Sequence, residues 1–318
     1  MQLELTLTIS PQPTISYKDI KMSSPSSTSP ALNKVLLWAT PRSISTVFLK
    51  CMTYVPDTVA WHEPWMQVKK FGKDRADPTD ERFRQMVEKL GGKAAVDKIE
   101  GGFDASNCTY DWIKDKLEGD FPGKKMVFVK ELAATVINQT NTIPDGFRHT
   151  FLIRHPVKFA QSVFKIMAKA HAKGAAVDMG KNPIPKQYPY QDTYNVLQYI
   201  KENHNPNPII IDADDFLANP EKVLEAYCKA VDIPYSPDLL RWEAGDDVMT
   251  KHWMVPKETI LTFRMIGAHD STLESTGFER KERQAPPVIS EVPEMMRPLI
   301  EAELPYYEKL YAERLIIQ

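Results

Sequence analysis

The chain of 318 residues is predicted to be an α/β protein, with a parallel sheet flanked by helices on both faces in a single domain. Short apolar runs alternate with segments of helical periodicity, which is typical of βαβ units and a mainly parallel sheet. An apolar run starting at Lys34 breaks abruptly into a helical pattern at Ser43. Charged residues directly follow several apolar runs, at the strand ends where such sheets bind ligands.

Strands are predicted where short apolar runs are bounded by turn residues. In chain order they are Lys34–Ala39, Thr58–His62, Lys125–Lys130, His149–Arg154 and Pro208–Asp212. Helices are predicted where apolar residues recur every three or four positions. They are Ser43–Tyr54, Asp80–Leu90, Tyr110–Leu117, Pro156–Ala170, Asp192–Glu202, Pro220–Val231 and Glu291–Arg314. The helix at Pro220 has the clearest start, because Asn219 is a suitable N-cap and proline fits the first turn.

Residues 1–30 differ in composition from the rest of the chain. They contain a tract rich in Ser and Pro, which cannot bury enough apolar surface to order itself. We therefore expect a flexible leader at 1–30, although its first residues, Leu3–Ile9, could add an edge strand. The α/β domain is expected to cover residues 31–318.

Composition argues against several classes of function. The net charge of −2 gives no reason to expect a nucleic acid or a membrane surface as a partner. Cys51, Cys108 and Cys228 are too widely spaced for a zinc site or a disulfide framework, so buried, reduced thiols are expected. No apolar stretch is long enough to span a bilayer and no signal-peptide pattern is present. A cytoplasmic protein is therefore expected, while its oligomeric state stays open.

The turn Pro41–Thr46, between the first predicted strand and helix, is the most informative segment. A helix N-terminus has unpaired N–H groups and a positive dipole end, so it can hold phosphate. Arg42 can add charge-assisted bonds to phosphate or sulfonate oxygens, and three hydroxyls follow it. The alternative is that the hydroxyls merely cap the helix. The G-x-x-x-x-G-K-[ST] motif of nucleoside-triphosphate P-loops is absent.

A second polar pair follows the fourth predicted strand. That strand ends at Arg154, Pro156 starts a helix, and Ser162 lies about two turns along it. Taken singly, Arg154 and Ser162 would be ordinary surface residues. Because the carboxyl ends of parallel strands share one edge of the sheet, both are expected to face the same cleft as Arg42.

Three segments, in order, resemble the sulfotransferases that use 3′-phosphoadenosine 5′-phosphosulfate (PAPS). TPRSIST (40–46) and FLIRHPVKFAQS (151–162) resemble the two signature segments of that family, and residues 209–245 resemble a third. The PRSIST loop resembles a divergent subgroup, filed as sulfotransferase-like or aminotransferase-like. The resemblance implies a P-loop-type α/β fold, PAPS as the sulfuryl donor and 3′,5′-ADP as the product.

The resemblance also implies residue roles. In this family the first loop holds the 5′-phosphosulfate, and an Arg and a Ser at the spacing of Arg154 and Ser162 hold the 3′-phosphate. Ile44 stands where better-known members have Gly, so we expect no left-handed residue at that point of the loop. The implied cofactor-binding residues are Arg42, Ser43, Ile44, Ser45, Thr46, Arg154 and Ser162, with Arg280 or Lys281 as a late contact to the 3′-phosphate.

Sulfuryl transfer needs a base for the acceptor and neutralisation of charge on the leaving oxygen, and formally it needs no metal. Arg42 suits the neutralisation. Glu63 is our first choice of base, because family members with a Glu shortly after the second strand use it so, and His62 is the second. We expect burial between Trp61 and Trp65 to raise the pKa of Glu63. The alternative is that Glu63 pairs with Arg42 or a lysine and only orders the loop.

Lys130 ends the third predicted strand and is a candidate to contact the transferring sulfonate. The alternative is a solvated pair of Lys130 with Glu131. Trp61, Trp65 and Trp253 are candidates for the wall of an acceptor pocket, although core packing is the commoner fate of such residues. Residues 171–190 are expected to form a loop that could cover the acceptor.

The sequence thus predicts an enzyme that moves the sulfuryl group of PAPS in line to a hydroxyl or amine of a small-molecule acceptor, with base assistance and without a metal. Two alternatives stay open: a non-catalytic nucleotide-binding relative, and a phosphotransferase of the P-loop type. The identity of the acceptor does not follow from the residues.

Overall fold

The computed structural model describes residues 32–73, 81–172, 189–267 and 269–317. Within these ranges six strands form one sheet, in the order β5-β4-β1-β3-β2-β6, and every pair of neighbours is parallel. The predicted fold class is confirmed. The strands are β1 (Asn33–Ala39), β2 (Thr58–His62), β3 (Met126–Leu132), β4 (Arg148–Ile153), β5 (Ile209–Asp212) and β6 (Trp253–Met254).

Helices connect the strands and cover the sheet. They are α1 (Ser45–Thr53), α2 (Pro64–Phe71), α3 (Arg82–Lys89), α4 (Gly92–Val96), α5 (Tyr110–Glu118), α6 (Pro156–Ala172), α7 (Pro189–Asn203), α8 (Ala213–Ala218), α9 (Pro220–Ala230), α10 (Asp247–Lys251), α11 (Lys257–Ile266), α12 (Asp270–Leu273) and α13 (Arg297–Ala312). Short 3-10 helices lie at Ala105–Asn107, Ala133–Thr135, Thr140–Thr142, Pro237–Leu240, Ile289–Glu291 and Glu294–Met296.

Successive side chains of a strand point to opposite faces, and this divides the core in two. On one face, Leu36 and Trp38 of β1 pack with residues of α2, α5, α6, α7 and α13. On the other, Val35 and Leu37 pack with residues of α1, α8, α9 and α11. All four strand residues are fully buried, and each burial of this kind contributes ~1.5–3 kcal/mol. The helices therefore hold the sheet from both sides.

The register of the sheet brings the ends of neighbouring strands to one edge. β1 lies between β3 and β4, so the chain connections leave it in both directions, and ligands bind at such points in α/β sheets. The residues that follow the strands therefore start side by side. The paired strand ends are Ala39 with Leu132 and Leu152, His62 with Lys130, and Ile153 with Asp212.

The sequence located the five longer strands to within two residues, whereas the two-residue strand β6 was not predicted. Helix α1 begins at Ser45 rather than Ser43, because Ser43 belongs to the preceding turn. Asn219 occupies the N-cap of α9, but its side chain makes no capping hydrogen bond. The predicted leader at 1–30, the edge strand at Leu3–Ile9 and most of the predicted covering loop at 171–190 lie outside the described residues.

The three cysteines are free and buried, as expected. In the part of the chain that the structure describes, no helix has the length and apolarity that crossing a bilayer requires.

One buried histidine makes the fold sensitive to acid. His149 of β4 is almost completely buried, and its Nδ1 accepts a hydrogen bond of 3.1 Å from Trp38 Nε1. Burial, with a smaller effect from His204, lowers the pKa of His149 to about 3. Protonation at Nδ1 would also remove the acceptor for Trp38.

We expect His149→Gln to make the protein less sensitive to acid. The unfolded chain takes up the proton near the ordinary histidine pKa of about 6.5, whereas the folded chain does so only near 3. Below about pH 6.5 the unfolded state therefore binds more protons, and this histidine removes up to about 1.4 kcal/mol of stability per pH unit. Urea unfolding from pH 7 to pH 4 would test this. Parallel pH curves for wild type and variant would contradict it.

Candidate active site

A cavity of about 360 Å³ opens at the edge where the strands end. It is lined by the turn after β1, the start of α1, the ends of β2, β3 and β4, and residues 269–281. Of the site residues predicted from sequence, those that line it are Arg42, Ile44, Ser45, Thr46, Glu63, Lys130, Arg154, Ser162 and Lys281. Residues from five separate segments of the chain thus meet in one space.

The turn after β1 is tied to the sheet and to itself. Thr40 N–H donates to Leu152 O at 3.0 Å, so the turn leaves the sheet in a fixed direction. Ser43 is fully buried, and its hydroxyl donates to Thr40 O at 2.7 Å. The predicted contact of the Ser43 hydroxyl with a bound anion is therefore wrong, because that hydroxyl closes the turn. Ser45 and Thr46, the first residues of α1, do line the cavity.

The turn contains two left-handed residues, Arg42 with φ 59° and Ile44 with φ 58°. We expected no left-handed residue at Ile44, and this expectation is wrong. The left-handed conformation costs an L-residue roughly 1–2 kcal/mol, and β-branched residues are rarely found there. Here Ile44 packs against the core beneath α1, and its carbonyl accepts the first hydrogen bond of that helix, from Phe48 N–H at 3.1 Å. Packing and helix initiation thus hold the strained geometry.

Two arginines and a serine are joined inside the cavity. Arg42 Nε donates to Ser162 Oγ at 3.1 Å, and Arg154 Nη1 donates to the carbonyl of Arg42 at 3.0 Å. Burial, followed by the charge of Arg154, lowers the pKa of Arg42. Arg154 Nε lies 3.8 Å from Asp214 Oδ1. Among the described residues, Arg42 has no carboxylate within salt-bridge distance. The cluster therefore presents a half-buried guanidinium to the cavity that has no carboxylate partner among the described residues.

Glu63 and Lys130 form a buried ion pair on the cavity wall. Glu63 is left-handed, with φ 50°, at the N-cap of α2, and its N–H donates to Lys130 O at 2.7 Å. Burial raises the pKa of Glu63, but the charges of Lys130 and its other neighbours outweigh burial, so the pKa lies below its ordinary value. The pKa rise that we expected from Trp61 and Trp65 is therefore wrong. The open alternative, in which Glu63 pairs with a lysine, describes this geometry.

Glu131, unlike the adjacent Lys130, binds backbone N–H groups. Its carboxylate accepts hydrogen bonds from Trp65 N–H at 2.7 Å, Met66 N–H at 3.1 Å and Leu132 N–H at 2.6 Å. It therefore caps the first turn of α2, where backbone N–H groups have no partner within the helix. Lys130 and Glu131 are both buried and have separate partners. They do not form the solvated pair weighed from the sequence.

His62 does not line the cavity. It is fully buried. Its ring is nearly parallel to that of Trp253, with 5.2 Å between the ring centroids, and its centroid lies 5.4 Å from that of Phe263. Among the described residues neither ring nitrogen has a hydrogen-bond partner. Burial lowers the pKa of His62 well below its ordinary value. Having no access to the cavity, His62 cannot be the base.

The three tryptophans predicted for an acceptor pocket also lie in the core. The ring of Trp61 packs against Phe103, with 5.8 Å between the ring centroids, and the ring of Trp65 packs against Trp38, with 5.7 Å between the centroids. Trp253 Nε1 donates to Thr53 Oγ1 at 2.9 Å beneath the sheet. None of the three lines the cavity. Trp61 and Trp253 lie on strands and Trp65 lies on α2, and all three are buried in the packed layers. The core alternative weighed from the sequence describes all three.

Of the two basic residues Arg280 and Lys281, predicted as a late contact to the 3′-phosphate, only one lines the cavity. Lys281 lines the cavity, and its N–H donates to Leu217 O at 2.9 Å. Arg280 is exposed and does not line the cavity. Only Lys281 can therefore contact a ligand bound there without rearrangement.

Sequence reasoning missed one wall of the cavity, formed by residues 269–275. His269 and Ser271 line the cavity, as do Thr272 and Ser275. Lys50 Nζ, buried on α1, donates to the carbonyls of Thr272 at 3.0 Å and Leu273 at 3.5 Å. This wall is short, polar and without periodicity, so it carries no sequence signal. Its position depends on a lysine more than 200 residues away in the chain.

Comparison with curated proteins finds distant relatives. The chain is 24% identical over 281 residues to branched-chain-amino-acid aminotransferase-like protein 2 of Arabidopsis thaliana, covering 86% of this chain and 40% of that protein. The aminotransferase-like protein 1 of the same plant is 23% identical over 253 residues, covering 77% and 36%. The chain therefore spans about two fifths of the length of the curated relatives it matches. No known family profile matches it.

Among solved structures, the chain is similar to a sulfotransferase domain from the curacin biosynthetic pathway, with 14% identity and a TM-score of 0.41, over 86% of this chain and 98% of that one. It is also similar to the sulfotransferase domain of the Synechococcus PCC 7002 olefin synthase, with 12% identity and a TM-score of 0.40, over 89% of this chain and 98% of that one. A sulfotransferase from Alicyclobacillus acidocaldarius is similar too, with 13% identity and a TM-score of 0.41, over 74% of this chain and 96% of that one. Values in this range assign neither a family nor an activity to this chain.

The Lys130–Glu63 pair generates a stability prediction. Lys130→Met should destabilise the protein by about 3–5 kcal/mol, because it leaves the buried Glu63 carboxylate without its counter-ion. Adding Glu63→Gln should recover more than half of that loss. Urea unfolding of the two single variants and the double variant at pH 7 measures the coupling. Single effects that sum to the effect of the double variant, within about 0.5 kcal/mol, would show that the pair is not coupled.

Proposed function

We propose that this chain is a PAPS-dependent sulfotransferase that acts on a hydroxyl or an amine of a small-molecule acceptor. The observation that carries the proposal is the convergence of Arg42, Arg154 and Ser162 on one cavity, beside the start of α1. These three side chains come from two segments more than 100 residues apart. A ligand with anionic groups at both ends, such as a doubly phosphorylated adenosine, matches their chemistry.

The lining of the cavity fits such a ligand. Four cationic side chains line it against two carboxylates, Glu63 and Glu279, and Glu63 is already paired with Lys130. The free N–H groups at the start of α1, with Ser45 and Thr46, would hold the 5′-phosphosulfate. Arg154 and Ser162 would hold the 3′-phosphate, with Lys281 as a further cation.

Bound PAPS supplies an activated sulfuryl group on a phosphate leaving group. Arg42 would neutralise the charge that grows on the leaving oxygen, because a fixed guanidinium in a partly buried site costs little reorganisation. Lys130 is placed by Glu63 and would contact the sulfonate oxygens. Since the sulfuryl group carries less charge than a phosphoryl group, a metal is not formally needed for this transfer.

The alternatives have less support from these residues. A P-loop-type phosphotransferase would need a GK[ST] motif for the outer phosphates and magnesium, and the turn at 41–46 lacks it. The names of the Arabidopsis relatives suggest aminotransferase chemistry, but this chain spans only about two fifths of their length. A non-catalytic nucleotide-binding relative would share the anion site and differ only in turnover.

Ligand-induced stabilisation tests nucleotide choice. At about 100 times its Kd, 3′,5′-ADP should stabilise the protein by about 2.7 kcal/mol, whereas 5′-AMP and Mg·ATP at the same concentration should stabilise it less. Thermal shift measures this. Greater stabilisation by Mg·ATP would favour the phosphotransferase and would count against our proposal.

Arg154→Met should weaken 3′,5′-ADP binding by about 10- to 100-fold, the effect of losing a hydrogen bond to a charged group. The matched control is Arg148→Met, at the exposed start of β4, the strand that Arg154 directly follows. Calorimetric titration compares the two. Equal affinities of both variants for 3′,5′-ADP would show that Arg154 does not bind the 3′-phosphate.

A panel of phenols, alcohols and amines tests turnover. If 3′,5′-ADP binds but none of these acceptors yields a sulfonated product, the non-catalytic alternative would hold.

A further inference from the structure

His269 lies on the side of the cavity where the sulfonate is expected to be held. It lines the cavity together with Glu63, Lys130 and Arg42, and its side chain is partly exposed there. Its ring packs 4.4 Å from Phe263 and 5.8 Å from His62, measured between ring centroids. Among the described residues the imidazole makes no hydrogen bond. It is a free proton acceptor beside the groups expected to hold the sulfonate.

The backbone of His269 is fixed. Its carbonyl accepts hydrogen bonds from Thr272 N–H and Leu273 N–H, both at 2.9 Å. Lys50 then holds the carbonyls of Thr272 and Leu273 from below. A side chain on a segment anchored in this way can be held at a reacting atom, which catalysis by proton transfer requires.

The two bases considered from the sequence are poorly suited to that role. Glu63 is occupied by Lys130, and the surrounding cations make it a weak base. His62 is sealed in the core behind His269. The transfer nevertheless requires a group to take the proton of the acceptor.

We propose that His269 is the general base of the transfer, with Glu63 acting as a positioning residue for Lys130. This inference rests on the proposed sulfotransferase function. As the acceptor oxygen or nitrogen bonds to sulfur, the imidazole of His269 takes its proton. The electron pair of the broken S–O bond goes to the 5′-phosphate, which leaves as part of 3′,5′-ADP, and the imidazolium then releases the proton to water.

Charges from several elements act on His269. Burial lowers its pKa to about 4, and Lys130 of β3, Arg42 of the turn and Lys70 of α2 act in the same direction, while Glu63 opposes them. His62 of β2 lies behind it, and α11 presents Phe263. An anion bound at Arg42 and Lys130 offsets these cations, so the pKa of His269 should rise toward the working pH when nucleotide binds.

Nuclear magnetic resonance of the full chain with isotope-labelled histidine tests this without turnover. The His269 signal, assigned by its loss in His269→Gln, should titrate near pH 4 in the free protein and at least about one unit higher with saturating 3′,5′-ADP. The signal of His252, which is exposed and does not line the cavity, serves as the internal reference. An unchanged His269 pKa with nucleotide bound would overturn the role of His269 alone. Failure of 3′,5′-ADP to bind would overturn the proposed function as well.

Sulfate release from radiolabelled PAPS, with water as the acceptor, provides the catalytic readout. His269→Gln should lower the rate by at least about 100-fold while the affinity for 3′,5′-ADP stays within about threefold. The acidic limb of the pH–rate profile should vanish in this variant and persist in Glu63→Gln. His252→Gln is the matched control and should behave as wild type.

Melting temperatures check that the variants fold, and His269→Asn serves as a second substitution if His269→Gln does not. Wild-type rates in both His269 variants would overturn the proposal. Loss of the acidic limb in Glu63→Gln, with its retention in His269→Gln, would return the role of base to Glu63.

Discussion

The candidate site depends on two guanidinium groups being held in one partly buried space before any anion arrives. Arg42 and Arg154 repel each other, and burial adds to the cost of the Arg42 charge. Pairing of β1 with β4 sets their backbones side by side, and the bond from Arg154 to the Arg42 carbonyl ties the two together. An anion that bridged them, as the proposed function requires, would relieve this repulsion and would bind more tightly for that reason.

Two buried charged residues at the end of β3 have different partners. Lys130 and Glu131 are adjacent, and strand alternation sends them to opposite faces. One pairs with Glu63 at the cavity, while the other caps α2, the helix that begins directly after Glu63. A buried ion pair contributes little net stability. Its effect here is to place an ammonium group at one point of the wall.

Local patterns sufficed for the fold, because apolar runs and turn residues mark the strands and parallel pairing then brings their ends to one edge. The same logic brought Arg42, Glu63, Lys130, Arg154 and Ser162 to the cavity. It failed where a side chain can turn either way: the hydroxyl of Ser43 closes its own turn, and the predicted tryptophans face the packed layers. It also failed for residues 269–275, since their position is set by a contact with Lys50 that no local pattern records.

That contact has a consequence for how the protein is made. Lys50 belongs to α1, and the carbonyls it holds lie 222 and 223 residues further on. A chain emerging from the ribosome, amino end first at roughly 5–20 residues per second, carries the turn at residues 41–46 long before the wall at residues 269–275 exists. Until synthesis has passed residue 281, the nascent chain has the cations of this turn but not the wall of the cavity that encloses them.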